Sequence, residues 1–448
     1  MRSNLIYSLS EIAEIYDGPH ATPKKLEEGD AIFLSISSIE DGRLNLEKSS
    51  FISEDDFVKW TRRVTPQAGD VVFSYETKIG EASIIPEGLR CCLGRRMGLL
   101  RAKQDKVLPQ YLLYAYLSPA FQEVIREKTI HGSTTDRISI KEMPSFNIQI
   151  PDITTQKKVI QVLNSIDSKL YKNTEINQTL EKISQALFKS WFVDFEPVKA
   201  KIAVLEAGGS QEEATLAAMT AISGKNADSL VVFEREQPEK YAELKTTAEL
   251  FPSAMQASEL GAVPVGWSSQ RLSNIATLHY GKALKKTERI DGPYPVYGSG
   301  GITGYHNSYL VEGPSIIVGR KGSIGTVYWE DGEFHPIDTV YYVTKKEGIP
   351  LSYLYYLIKT LNLPSMNTDA AVPGLNRDNV YRLEVLQPTQ SILNRFDNNI
   401  STIRNGIQKN NTTIVSLVDL RDTLLPKLLS GEITLPEAEA SVKDAEHV

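Results

Sequence analysis

The sequence predicts an α+β protein: two copies of a mixed, strand-rich domain, each followed by a long helix, with the helices paired antiparallel so that the molecule has pseudo-two-fold symmetry. Three observations predict it. A helical seam runs through Gln156 to Phe195, a second runs through Gln390 to Ser430, and the strings ahead of the second echo those ahead of the first. The boundaries that follow are a first domain at 1–152, a long helix at 153–196, an acidic extension or linker at 197–264, a second domain at 265–388, a second long helix at 389–431 and an acidic tail at 432–448.

The first domain carries short β-branched and aromatic runs, Ala31 to Ile36 and Asp70 to Tyr75, flanked by Gly and Asp turn signals. Leu108 to Lys128 reads as helix broken near Pro119, and Asn147 to Ile150 as a closing strand before Pro151.

The first long helix has neither Gly nor Pro, and Leu163, Ile166, Leu170, Ile176, Leu180, Ile183 and Leu187 recur at helical spacing, with Trp191 near its end. Asn173 and Asn177 interrupt the seam, where a polar residue sets register at some cost in stability. About 37 residues at ~1.5 Å each make a rod of roughly 55 Å. The second long helix places Phe396, Ile400, Ile403, Ile407, Ile414, Leu417, Leu424 and Leu428 on an alternating four-three spacing, with Asn410 and Arg421 in the two remaining seam positions. The seams are expected to face each other; two unrelated helices on separate cores are the alternative.

Between the helices, Gly208-Gly209-Ser210 breaks the pattern, Glu212 to Ile222 reads as a short helix, and the rest of 197–262 is acidic and mixed, hence the reading as an extension or linker. From Trp267 the first domain is echoed. Leu9-Ser10-Glu11-Ile12-Ala13 matches Leu272-Ser273-Asn274-Ile275-Ala276, Gly18 matches Gly281, Ile79-Gly80 matches Ile324-Gly325, and Gln156 matches Gln390. A repeat this long signals two copies of one functional unit.

Composition limits the function. The net charge of −7 speaks against a nucleic-acid partner until its distribution is read. Residues 196–260 hold 11 acidic against 6 basic residues and 431–448 hold 5 against 1, so the remainder carries +2. The two cysteines, Cys91 and Cys92, are adjacent and cannot staple distant segments, which suits a reducing cytoplasm. No signal-peptide core or membrane-length apolar run is present, so a soluble cytoplasmic protein without a membrane partner is expected.

Two similar heads on a helical spacer suit a reader of two separated half-sites on double-stranded DNA. At about 3.4 Å per base pair, a rod of roughly 55 Å keeps the heads within about 16 base pairs of each other.

Several strings make the match specific: Glu259-Leu260-Gly261 before Val263-Pro264-x-Gly266-Trp267; Gly292-Pro293-Tyr294-Pro295-Val296-Tyr297-Gly298; Ile317 to Gly325; and Phe188-Lys189-Ser190-Trp191-Phe192-x-Asp194-Phe195. In their order, and with the duplication, the chain resembles the DNA-specificity (S) subunit of type I restriction-modification systems over nearly its whole length. The resemblance implies that each head is a target-recognition domain for half of a bipartite site. It implies that the helices dock two methylation subunits, which carry S-adenosylmethionine and methylate an adenine in each half. With two motor-nuclease subunits added, such an assembly cuts unmethylated DNA. The specificity subunit itself catalyses nothing and holds no cofactor.

In the second head, Lys282, Lys285 and Lys286 beside Gly281 are candidate phosphate contacts; a solvated surface run is the alternative. Arg320 and Lys321, between Gly319 and Gly322, are the stronger candidates, since Arg pairs bidentately with guanine O6 and N7. The glycine-rich loop with Tyr297, Ser299 and Tyr305 suits a groove contact or, alternatively, a structural hairpin. Arg377 falls where the loop Gly132 to Arg137 falls in the first head. There, Thr134, Thr135 and Arg137 offer hydroxyls and a guanidinium, Lys78 is expected as counterpart of the Arg320-Lys321 turn, and Arg95 and Arg96 track a backbone or pair within the fold.

No catalytic apparatus is evident. Ser118-Pro119-Ala120-Phe121 lacks the second proline of an adenine-methylating motif, no Gly-x-Ser-x-Gly elbow occurs, and the six histidines make no metal-ligand spacing. A non-enzymatic protein adaptor and a specificity subunit serving a different modification or phage-defence enzyme are the competing readings.

Overall fold

The computed structural model describes residues 5–40, 42–132, 135–367, 374–430 and residues 432, 433, 437 and 438. It divides into two units, Met1–Thr174 with Asn411–Val448, and Glu175–Asn410.

In the first unit, strands Ala13–Asp17, Met97–Ala102, Val71–Ser74 and Ala82–Ile84 lie side by side in that order, all antiparallel. Val71, Val72 and Phe73 are buried on both faces, which is why the run carries no alternation. A three-stranded sheet orders Ser50–Ile52, Ala31–Leu34 and Cys91–Leu93, the last two parallel. Helix Pro109–Leu117 ends at Ser118, whose hydroxyl accepts from Phe121 N and starts the next helix, Pro119–Glu127. The expected break at Pro119 is thus a shared cap, with Pro in the first helical position.

In the second unit, strands Ala276–Tyr280, Val340–Lys345, Ser315–Gly319 and Val327–Glu330 repeat the same order and the same antiparallel registers. Here too a three-stranded sheet contains one parallel pair, Tyr294–Gly298 with His335–Pro336. Helix Leu351–Thr360 stands where Pro109–Leu117 stands. Flanking pairs recur as well: Leu5–Ser8 on Asn147–Ile150, and Ser268–Arg271 on Glu384–Gln387. The domain is therefore duplicated as a fold and not only as strings.

The long helices are Ile153–Phe192 and Gln390–Ser430. In the first unit, Val159, Val162, Leu163, Ile166 and Leu170 share one core with Leu417, Leu424, Leu425 and Leu428, and Arg421 reaches Asp167 at 3.9 Å. In the second unit, Asn410 meets Asn177, Arg404 reaches Glu181, and Phe396 packs on Phe188, Trp191 and Phe192. As one number rises the other falls, so the helices run antiparallel there.

Two expectations need correction. Ile176 and Ile183 are 47% and 49% exposed and lie off the seam. From Leu170 the inward positions step through Asn173, Asn177, Leu180, Ser184, Phe188 and Trp191, all buried or half-buried. The seam thus passes through polar residues mid-helix, and the isoleucines face outward.

Residues 197–264 are also not a simple linker. They form helices Glu196–Glu206, Gln211–Ser223, Ala227–Glu236 and Pro238–Glu249, then the hairpin Met255–Ser258 and Gly261–Pro264. Ala218, Met219, Leu230 and Ala248 make a small core of their own, and the buried Lys201 ammonium donates to Phe251 O at 2.6 Å. Among the described residues no helix is long and apolar enough to cross a membrane.

Candidate nucleic-acid interface

In the second unit, strand Ser315–Gly319 runs into a tight turn closed by Gly319 N donating to Thr326 O at 2.8 Å and Gly325 N donating to Gly319 O at 2.9 Å. Gly325 sits at φ +73°, a conformation that favours glycine. The amides of Arg320 and Lys321 both donate to Thr339 O, and Leu375 N donates to Arg320 O at 2.8 Å, which draws 374–377 against the turn. Ser299 joins from a third segment: its carbonyl accepts from Thr326 Oγ1 at 2.6 Å and its hydroxyl from Ser323 N at 3.4 Å. Arg320, Lys321, Ser299 and Arg377 are therefore neighbours in space.

At their centre is a residue that the sequence reading did not single out. The Tyr280 ring, 47% exposed, lies under two guanidinium groups, Arg320 and Arg377, each 4.8 Å from its centroid. Arg320 also lies over Tyr341, and Arg377 over Tyr381, both at 5.8 Å. Arg320 Nη1 donates to Asp338 O at 2.8 Å. Next door, burial and then the Arg377 and Lys346 charges hold His279 below the usual imidazole range. Tyr280 precedes the Gly281-Lys282 string, but nothing in one dimension brings 280, 320 and 377 together.

Other candidates in this unit separate. Lys282 is exposed and its amide donates to Pro336 O, two residues before Asp338. Lys285 pairs with Glu288 at 3.4 Å, and Lys286 opens a short 3-10 turn on the surface. Tyr305 is exposed. Tyr297 is not a surface aromatic: it is buried against Phe334, and its hydroxyl donates to Glu330 at 2.8 Å. Burial, followed by the Glu330 charge, pushes its phenol well above the usual range. Tyr305 lies on the neighbouring strand Gly301–His306, and the register between the two strands shifts between Pro295 and Tyr297.

In the first unit the equivalent turn is closed by Ser74 N donating to Glu81 O, with Gly80 at φ +90°. Ile138 N donates to Tyr75 O, as Leu375 N does to Arg320 O. The counterparts of Arg320 and Lys321 are thus Tyr75 and Glu76, and Lys78 corresponds to Ser323, a correction to the expected pairing. Arg137 pairs its backbone with Glu76 where Gly374 pairs with Lys321, so Arg377 corresponds to Ile140 and not to the loop Gly132 to Arg137, a second correction. Arg96, at φ +72°, pairs with Glu76 at 3.2 Å and donates to Thr77, so it serves the fold. Lys78 Nζ donates to Ile39 O at 3.1 Å. Arg95 and Arg137 are exposed, Thr135 is half-buried, and Thr134 lies outside the described residues.

The two heads thus present different chemistry at one place in one fold. Where the second stacks arginines on Tyr280, the first has Asp17, whose carboxylate accepts from Tyr75 at 3.0 Å and lies 3.1 Å from His20. The strand registers make this comparison direct: Asp17 pairs with Gly98, and Tyr280 pairs with Tyr341.

On the helices, Leu163, Ile166, Leu170, Trp191, Phe396, Ile400, Ile407, Leu417, Leu424 and Leu428 are buried within the chain. Leu180, Leu187, Ile403 and Ile414 are half-buried. These side chains pack within the chain; exposed apolar side chains on the helices include Ile176 and Ile183 in the second unit and Tyr171 and Val415 in the first. Among the described residues no group of three or more His, Cys, Asp or Glu is placed to hold a metal ion.

A family model described as type I restriction modification DNA specificity domain matches residues 4–182 and 264–410, once over each head with part of its helix. The helical insertion falls between the matched stretches. The type I restriction enzyme HindI specificity subunit of Haemophilus influenzae is 32% identical over 357 residues, covering 73% of this chain and 78% of that protein. The MjaIX specificity subunit of Methanocaldococcus jannaschii is 23% identical over 438 residues, covering 96% and 90%. A crystal structure of the S subunit of a type I restriction-modification system from M. genitalium aligns over 95% of both chains at 15% identity, with a TM-score of 0.47.

Proposed function

The chain belongs to the type I restriction modification DNA specificity family, and from that premise we propose that each of its two heads reads one half of a two-part DNA site. The observation that carries the reading is the duplication: one strand order occurs twice, with different side chains at the same turn. A fold copied and then altered at one edge suits two different half-sites.

The long helices set the gap between the halves and dock two methylation subunits. Those subunits bring S-adenosylmethionine and methylate an adenine in each half, and two motor-nuclease subunits complete an assembly that cuts unmethylated DNA. This chain supplies recognition and no bond-making chemistry, and it works in the cytoplasm. The exposed Ile176 and Ile183, seven residues apart on one helix face, support partner docking there. Exposed cations such as Lys282, Lys321 and Arg95 suit phosphates, which position the duplex without reading it.

The test is selection of duplexes from a random pool by the chain assembled with its methylation subunits. The reading predicts enrichment of two short defined blocks separated by an unconstrained gap of fixed length. It also predicts affinity that falls with salt by about 0.9 log units per log unit for each phosphate neutralised. Enrichment of one continuous block, or none, counts against it and favours a protein adaptor.

A further inference from the structure

The two arginines on Tyr280 are not equivalent. Arg320 has already committed one terminal nitrogen to the Asp338 carbonyl at 2.8 Å. Arg377 makes no hydrogen bond or ion pair through its guanidinium among the described residues, and its Nε is buried without a partner. Yet Arg377 is held firmly. Its guanidinium carbon lies 4.8 Å from the Tyr280 ring centroid and 5.8 Å from that of Tyr381, and the Tyr381 hydroxyl is itself fixed by accepting from Leu278 N at 2.9 Å. Its backbone begins the short helix Arg377–Tyr381, capped by Asn376, whose side chain accepts from the Asp378 and Asn379 amides.

A guanidinium oriented by flanking rings, with its terminal N–H groups unspent, suits bidentate pairing with the O6 and N7 edge of guanine, because that contact needs a fixed plane. A phosphate contact needs only charge, which exposed Lys321 and Lys282 already supply. Resting on the DNA-reading role proposed above, we propose that Arg377 specifies a guanine in the half-site of the second head, with Tyr280 and Arg320 as positioning residues. Tyr280 orients the fork, and Arg320, tied to Asp338, holds the same ring in place.

The assignment is tested by sequencing methylated adenines in a host without other adenine methylation, expressing the chain with its methylation subunits. Arg377→Ala is expected to relax one G·C position in one half-site and leave the other half unchanged, with discrimination at that position reduced roughly 10- to 100-fold. Arg377→Lys, which keeps the charge and loses the fork, is expected to relax the same position, and so reads the same property if the alanine variant folds poorly. Tyr280→Phe, which keeps the ring, is expected to keep the motif; Tyr280→Ser is expected to relax it at the Arg377 position. A motif equally strict in the Arg377 variants overturns the assignment. So does relaxation at an A·T position, or uniform weakening on all DNA with a smaller salt slope, the signature of a phosphate contact. A wild-type complex that methylates no two-part motif instead overturns the underlying reading.

Discussion

Asn410 donates its side-chain amide to the Asn177 carbonyl oxygen at 3.0 Å, joining the two long helices where their seams turn polar. A polar pair inside an apolar seam costs stability and defines register. Breaking the pair with Asn410→Leu is expected to cost about 0.5–1.5 kcal/mol, and Asn177→Leu with Asn410→Leu to recover it, since an apolar pair needs no hydrogen bond. Thermal unfolding of the single and double variants checks this; a double variant no more stable than the single one contradicts it.

Gln156 and Gln390 do not occupy matching places, a correction to the expected match: Gln390 is the first residue of its helix, Gln156 is the fourth of its own, and the pairings of Ser8 with Asn147 and of Arg271 with Glu384 set Gln156 against Leu393. Gln156 is fully buried, accepts from Leu108 N at 2.8 Å, and donates to the carbonyls of Lys106 and Pro151 at 2.9 Å. Gln390 is exposed and donates to Gly348 O at 2.8 Å. Gln156→Leu, which strips side-chain partners from the Leu108 amide and from the Lys106 and Pro151 carbonyls, is expected to cost about 1–3 kcal/mol, and Gln390→Leu under about 1 kcal/mol. Denaturant midpoints that fall equally for the two would refute this account of the two contacts.

Glu181 fastens the second head to its helices, accepting from Lys359 at 2.8 Å and Tyr356 at 3.1 Å. Burial alone would raise its pKa, but hydrogen bonds from Lys359 and Gln185 and the Lys359 charge outweigh burial and hold it below 4.5. A carboxylate depressed in the folded state stabilises the fold above its unfolded pKa, and that stability is lost as pH falls through the folded value. Glu181→Gln is therefore expected to be less stable than wild type at pH 7, with the gap closing as pH falls below 4.5. A gap that stays constant from pH 7 to pH 3 would show that the charge is not what matters.

Cys91 and Cys92 are buried in adjacent strand positions, and burial pushes both thiols up to about 12. Only the thiolate is nucleophilic. At pH 8 the native chain is expected to resist alkylation over hours while the urea-unfolded chain reacts within minutes; rapid modification of the native chain would mean that this sheet opens readily.

The duplication was legible because its anchors are local: the glycine that ends each turn and the short apolar run before each sheet recur at matching intervals, whereas the two glutamines near the helix starts do not. The insertion at 197–264 was legible only at Glu212 to Ile222, within the helix Gln211–Ser223; elsewhere, and even there, packing through small residues such as Ala214 and Ala218 gives little apolar contrast along the chain. The first helix was misread at Ile176 and Ile183 because the seam follows geometry through Asn173, Asn177 and Ser184, whereas hydrophobicity alone points to the isoleucines. The Tyr280 stack was invisible for a different reason: it joins three segments that only the sheet registers and the Arg320–Leu375 hydrogen bond bring together.

The central claim is that each head governs its own half of the DNA site. The most direct measurement compares the methylated-adenine motifs of two complexes, one carrying Arg137→Ala in the first head and the other Arg377→Ala in the second. The prediction is that the two lesions relax opposite halves and leave the gap between them untouched. Both lesions altering the same half, or either one altering both halves, would contradict the account.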